Sequence, residues 1–372
     1  MDFKLNDDRR MLAETLERFL RDNYPIDKRH EFVASDLGWS RELWQKFADL
    51  GVIGALFKEE NGGFGGEGED IMVVFEALGR ALVVEPFLPT LLAGSLMADV
   101  MGAAANDRIE AVIAGEKIIA LAHSEPGSRY NLDHVETIAE DAGGSFKLSG
   151  HKSVVLSGAD ADELIVSART SGAAAHEKGI SLFLVDSKAN GVNIRNYGTV
   201  DGYAAADIIL ENVEAELIGK KDAALGQIEA AYSKAILAIC AESLGAMEVA
   251  KDLTVEYMKT RKQFGVVIGK FQALQHRMAD VLIEIEQMRS SVVNAAGHLN
   301  GDRKKREWYA SAVKHMAGTI GRQVADESIQ IHGGMGMTWE YPVGHYAKRI
   351  TMADHLFGDT DHHLQRFIDL GE

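Results

Sequence analysis

"KIIALAHSEPG" occupies residues 117–127, and within it the hydrophobic period of the chain changes. Upstream, apolar residues recur at helical spacing. In "SRELWQKFADLGV" Leu43, Trp44, Phe47 and Leu50 share one face behind Ser40, a natural N-cap. "DIMVVFEALGRAL" repeats the pattern through Ile71, Val74, Phe75 and Leu78, and Pro89 can open a further helix to Met101. From residue 117, short runs follow one another, separated by Gly, Asp or Ser: "KIIALAHSEPG", "GSFKLSG", "HKSVVLSG", "DELIVSART", "ISLFLVD" and "AADIILENV". No amphipathic helix intervenes, so these predict a small barrel or sandwich rather than a doubly wound parallel sheet. From about residue 222 the helical period returns, and 222–260, 271–300, 303–331 and 341–357 are each long enough for a bundle helix. The expected architecture is therefore α+β. It has an N-terminal α-helical domain (1–116), a middle β-barrel or sandwich (117–218) and a C-terminal four-helix bundle (219–372).

Composition narrows the class of function. With 372 residues, 46% apolar, the chain can bury a large core. A formal net charge of -17 argues against nucleic acid or an anionic membrane as partner. A single cysteine, Cys240, excludes an internal disulfide framework and fits a reducing compartment. The N-terminus is charged from its second residue and no uncharged apolar run approaches 18 residues, so the expectation is a cytoplasmic protein without a membrane span.

Three glycine- or cation-rich stretches invite a ligand. "GFGGEG" (63–68) fits a dinucleotide fingerprint, but no βαβ unit continues it. Glu59, Glu60, Glu67, Glu69 and Asp70 would repel a pyrophosphate, so it reads as a glycine-rich surface turn. In "YMKTRKQFGVVIGKFQALQHRMAD" (257–280), Arg261 offers a planar fork suited to phosphate and Phe264 a ring for stacking. Residue chemistry leaves open whether that segment grips a ligand or is a solvated helix end. "QIHGGMGMTWEYPVGHYAKR" (330–349) has more glycine than a helix cap needs, and Gly333, Gly334 and Gly336 favour close approach of a flat ligand. The basic run in "GDRKKREWYA" (301–310) reads as a solvated inter-helix turn.

R-x-x-F-G followed seven residues later by Gln (Arg261, Phe264, Gly265, Gln272), with Q-I-H-G-G-x-G and E-Y-P-V, resembles the acyl-CoA dehydrogenases over essentially the whole chain. "EENGGFGG" and "SEPGS" stand where that family carries a glycine loop and a T-E-P-G motif. The resemblance implies an oligomeric flavoprotein that binds FAD at a subunit interface and passes electrons from an acyl-CoA substrate to an electron-transferring flavoprotein. It implies that Arg261, Gln263, Phe264 and Gln272, with Gln330, Gly333 and Gly334, contact a neighbour's FAD. Ser124 would hydrogen-bond the isoalloxazine, and Thr360 and His362 would also contact FAD. In the family reaction a carboxylate removes the α-proton of the thioester while the β-hydrogen leaves as hydride to the flavin.

The departures from the family pattern are as informative. Its Y-E-G-T, which carries the base, becomes "HLFGDTDHH" (355–363), placing Phe357 or, with one inserted residue, Gly358 at the Glu position. A second group within the family takes its base from the helix near residue 235, where this chain has Ala235; Glu242 lies two turns further on. Asp359 is the remaining candidate base. The flavin-side motifs G-A-G-S-D and W-I-T become "GSRYN" and "VVL". His355, Asp359, Asp361, His362 and His363 lack metal-ligand spacing, and no metal is expected. With its outgoing motifs intact and its own pocket altered, the chain resembles the small, base-lacking subunit of two-gene heteromeric acyl-CoA dehydrogenases, of the pimeloyl-CoA and steroid side-chain kind. A sister subunit would then supply base and flavin pocket. A non-catalytic partner that only completes the sister's FAD site, a self-sufficient homo-oligomer using Asp359 or Glu242, and an oxygen-using flavoprotein on the same fold are the alternatives.

Overall fold

The structure, a computed structural model, describes residues 5–371. Along the chain, helices α1 (Asp7–Asn23), α2 (Ile26–Val33), α3 (Arg41–Asp49), α4 (Gly68–Ala81), α5 (Phe87–Met101) and α6 (Asn106–Ile113) come first. Strands β1 (Ile119–Ala122), β2 (Ile138–Asp141), β3 (Phe146–Leu156), β4 (Glu163–Arg169), β5 (Ile180–Asp186), β6 (Val192–Gly198) and β7 (Ala204–Ile218) follow. Then come α7 (Leu225–Thr260), a hairpin of β8 (Lys262–Gln263) and β9 (Val266–Val267), α8 (Gln272–His298), α9 (Arg303–His332), α10 (Val343–His355) and α11 (Thr360–Gly371). The order helices, sheet, helices is the one the hydrophobic periods predict. The chain divides into two compact units, one holding residues up to His30, Glu67–Val83 and everything from Ile236, the other Glu31–Gly66 and Val84–Ala235.

In the second unit β4, β2, β3, β7 and β5 pair in a ring, since β5 returns to β4 in full register and β2 meets β4 at Ile138↔Arg169. β1 joins β4 in parallel and β6 flanks β7. Closure explains the continuous burial: Leu164–Arg169 and Ile180–Val185 are buried at every position, the polar Ser167, Arg169 and Ser181 included. Two of the predicted runs, "GSFKLSG" and "HKSVVLSG", are one bulged strand, β3. Gly150, expected to turn, instead lets strands approach: a Cβ there would lie 2.3 Å from the Thr137 hydroxyl. β2 and β6 escaped the sequence reading because they are mostly exposed and polar. The helical stretch Phe87–Ile113 reaches the length and mean hydropathy (1.4) of a bilayer span, although Asp99 interrupts its apolar run. It is apolar all round because it is a core helix, buried from Phe87 through Met97.

In the first unit α4 packs against α7 and α8 through glycines. Cβ atoms on Gly79, Gly245 and Gly68 would fall within about 2.2 Å of the carbonyls of Glu242, Glu76 and Ala296. In the second unit Gly63 of the "GFGGEG" turn is likewise pressed on a carbonyl, that of Phe57 at 2.1 Å. These glycines serve backbone packing. The C-terminal region gains a fifth helix, α11, where four were expected. Its apolar positions Leu364 and Ile368 are exposed.

Candidate functional site

Helix α7 ends at Thr260 and the chain reverses at once. Lys262↔Val267 and Gln263↔Val266 pair, and Phe264 and Gly265 turn with φ of 53° and 81°, both left-handed as a type I′ hairpin requires. The hairpin is rooted by the Arg261 amide donating to Tyr257 O (2.8 Å) and the Ile268 amide donating to Arg261 O (2.9 Å). The Phe264 ring is 91% exposed, edge-on to Phe271. Arg261, Gln263 and Gln272 are exposed, and the Arg261 guanidinium has no ion-pair or hydrogen-bond partner among the described residues. The first turn of α8 has no side-chain cap, leaving its amides available to an acceptor.

Gln330, Gly333 and Gly334 are also exposed, and a Cβ on either glycine would meet nothing within 4 Å. Gly336 differs: it is buried, 3.1 Å from His332 Cβ, and serves packing. These open elements suit a planar anionic nucleotide, with a free guanidinium, an exposed ring and unobstructed backbone.

The α10–α11 turn has the opposite character. Lys314, fully buried, donates to Asp354 O (2.8 Å) and Gly358 O (2.5 Å), drawing the turn onto α9. Phe357 and Gly358 both carry positive φ (59° and 111°). A Cβ on Gly358 would lie 2.5 Å from His363 Nε2 and 2.7 Å from His362 Cδ2, so of the two positions the sequence offers for the family's Glu, Gly358 has no room for a side chain and Phe357 carries no carboxylate. His363 is buried and pairs with Phe357 O (2.9 Å); burial, then the Lys314 ammonium, pushes its imidazole down to about 3. Asp359 caps α11 by accepting the His362 amide (2.9 Å). The Thr360 hydroxyl donates to Asp354 (2.8 Å). A cavity of about 510 Å³ opens here, lined by Asp326, Asp354, Asp359 and Asp361 beside Arg322 and Thr360. Four carboxylates against one guanidinium are a poor fit for a diphosphate on this side. Among the described residues no His, Cys, Asp or Glu group is arranged to hold a metal.

In the β unit, Ser124 hydrogen-bonds Tyr232, whose phenol burial pushes up to about 12. The Ser124 carbonyl accepts from the Ser153 amide (2.9 Å). The loop is held by a buried pair. The Lys152 ammonium reaches Glu125 (2.7 Å), His123 O (3.2 Å) and Ser167 (3.1 Å), and burial brings it down to about 8. Burial raises the Glu125 carboxyl, but Lys152 and the Thr137 and Glu136 donors outweigh it and hold it below the ordinary range. Beside this loop Val154 is half exposed at φ 53°, an uncommon conformation for a β-branched residue.

Ala235 is wholly buried. Glu242 faces the core in an ion pair with Arg349, both side chains 3% exposed, and is committed there. Sequence reasoning missed Lys152, Lys314 and Arg349, because a buried cation leaves no periodic trace. The one signal was the apolar company of "SAVKHMAG" around Lys314.

Comparison with known proteins agrees with this architecture. Models of the acyl-CoA dehydrogenase N-terminal, middle and C-terminal domains match residues 6–115, 120–213 and 228–368. A 3-(aryl)acrylate reductase of Clostridium sporogenes is 31% identical, over 86% of this chain and 85% of its own. "Acyl-CoA dehydrogenase IpdE2" of Mycolicibacterium smegmatis is 27% identical over 97% of this chain and 98% of its own. The solved structure of a point variant of the Tcur3481-Tcur3483 steroid ACAD superposes with a TM-score of 0.89 at 28% identity, covering 98% of this chain and 97% of that one. FAD is the cofactor of the family these domains define, and the three domains occur in its order along nearly the whole chain: the chain belongs to the acyl-CoA dehydrogenase family.

Proposed function

We propose that this chain is one subunit of a heteromeric FAD-dependent acyl-CoA dehydrogenase, giving half of a nucleotide site to a sister subunit that supplies the catalytic base. FAD would supply the hydride acceptor for the β-carbon of the acyl thioester, with an electron-transferring flavoprotein as the next electron carrier. This chain's residues would bind and orient it. Arg261, with Gln263 and Gln272 beside it, would hold the diphosphate, Phe264 would offer its ring, and Gly333 and Gly334, with Gln330, would let backbone amides come close.

The observation that carries the reading is an asymmetry. The outgoing elements are exposed, whereas neither position the sequence offers for the family's base has a carboxylate: Phe357 carries a ring and Gly358 has no room for a side chain. The commitment of Glu242 to Arg349 and of Asp359 to a helix cap supports the same reading. The family resemblance gives Ser124, Thr360 and His362 to this chain's own FAD, but the aspartate-lined cavity beside Thr360 disfavours the anionic part of that nucleotide. A non-catalytic subunit that only completes the sister's site is the second reading, favoured by the same closed turn. The 31% identity to a protein named as a reductase makes the reverse reaction, hydride delivery to an unsaturated acyl group, a direction to assay alongside dehydrogenation.

The absorption spectrum of the purified chain tests this. The chain alone should be colourless and gain stoichiometric flavin and turnover only with its sister subunit. Yellow protein, bleached by acyl-CoA without a partner, overturns the heteromeric reading.

A further inference from the structure

The two exposed elements of the proposed half-site are some 70 residues apart in sequence (261 and 333), yet both are rooted on one cluster of three rings. Tyr257, on the last turn of α7, accepts the Arg261 amide through its carbonyl. Its ring lies 4.4 Å from that of His332, the last residue of α9, immediately before Gly333. Tyr341, which follows the glycine segment, lies 4.8 Å from the same imidazole. The Tyr257 and Tyr341 rings also meet edge-on at 6.1 Å. His332 thus touches both the ring at the root of the arginine hairpin and the ring that follows the glycine segment.

The environment of His332 limits what it can do chemically. It is 3% exposed, and its Nδ1 reaches Ser328 O (2.7 Å) on its own helix. Burial pushes its imidazole below the ordinary range, and its Nε2, facing the α7 backbone near Leu253, makes no well-formed hydrogen bond. A buried imidazole whose Nε2 has no well-formed partner contributes mainly shape and ring contact. Packed rings hold discrete arrangements, so they can fix the spacing of the elements they join.

We infer that His332 is a positioning residue that sets the Arg261 hairpin and the Gly333–Gly334 segment at the spacing needed to grip a flavin nucleotide. This rests on the proposed half-site. His332 touches no nucleotide and acts through Tyr257 and Tyr341. Removing the ring lets the hairpin and the glycine segment relax independently, while a ring of similar size preserves the spacing.

The test is FAD titration, by quenching of flavin fluorescence, into the flavin-free assembly that the full chain forms, carrying His332→Ala, His332→Phe, Arg261→Ala or His332→Ala with Arg261→Ala. The expected result is at least tenfold weaker FAD binding for His332→Ala, recovery to within about threefold for His332→Phe, and a double variant no weaker than Arg261→Ala alone. Non-additivity separates positioning from a general loss of stability, which would multiply with the Arg261 effect. A change under twofold for His332→Ala, no recovery with Phe, or multiplied losses in the double variant overturns the inference while leaving the half-site standing. If Arg261→Ala itself binds FAD normally, the half-site falls and this inference falls with it.

Discussion

Gly358→Ala adds one methyl group at one of the two positions, Phe357 being the other, that the sequence offers for the family's catalytic carboxylate. The new Cβ would lie 2.5 Å from His363 Nε2 and 2.7 Å from His362 Cδ2, well inside contact distance. His363 cannot swing aside, because it is 2% exposed and tied to Phe357 O. Overpacking of this kind costs about 1–3 kcal/mol. Gly358 also sits at φ 111°, outside the left-handed well that side chains tolerate, which adds about 1–3 kcal/mol. The sum is about 2–6 kcal/mol, read as a lower urea midpoint at unchanged slope. Gly334→Ala is the control, since its Cβ would meet nothing within 4 Å; it should move stability by less than about 0.5 kcal/mol. Gly358→Glu should carry at least the same penalty without creating an active base. A Gly358→Ala protein as stable as the parent would refute the claim that this turn is sterically closed.

Three further outcomes follow from the same geometry. Arg349→Met strands the buried Glu242 carboxylate and should cost about 3–5 kcal/mol in chemical denaturation, with much of the loss recovered in Arg349→Met/Glu242→Met; equal losses in both would show that the pair is not the cause. His363 is neutral in the fold at about 3, whereas unfolded histidine titrates near 6.5. Below about pH 6.5 the unfolded chain therefore binds the extra proton, and stability should fall with acidity at up to about 1.4 kcal/mol per pH unit for this group. Between about pH 6 and 5 His363→Gln should flatten the slope by nearly that amount, and an unchanged slope would remove His363 as a contributor. Arg261→Ala, at an exposed and unpaired position, should leave the denaturation midpoint within about 0.5 kcal/mol while lowering flavin occupancy of the assembly, and a large stability loss would mean that the guanidinium has an intramolecular role.

The sequence by itself determined the order helices, sheet, helices, because burial on one face imprints a period of 3.6 or 2 on the apolar residues. It also singled out Arg261, Phe264, Gly333 and Gly334, whose residue types are conspicuous in an acidic chain and a helix end. Tertiary structure decided what those signals left undefined. Gly150 looked like a turn and Gly63 like part of a glycine-rich surface turn, but each lies against a neighbouring segment distant or reversed in the chain, a fact no local pattern records. Glu242 and Asp359 stood as alternative bases until Arg349 was found paired with the one and the His362 amide with the other. Lys314 looked like any surface lysine, yet its buried ammonium holds the carbonyls that close the Gly358 turn. A residue's chemistry is written in its side chain, but its availability depends on which groups from other elements reach it first, and only the folded chain brings those groups together.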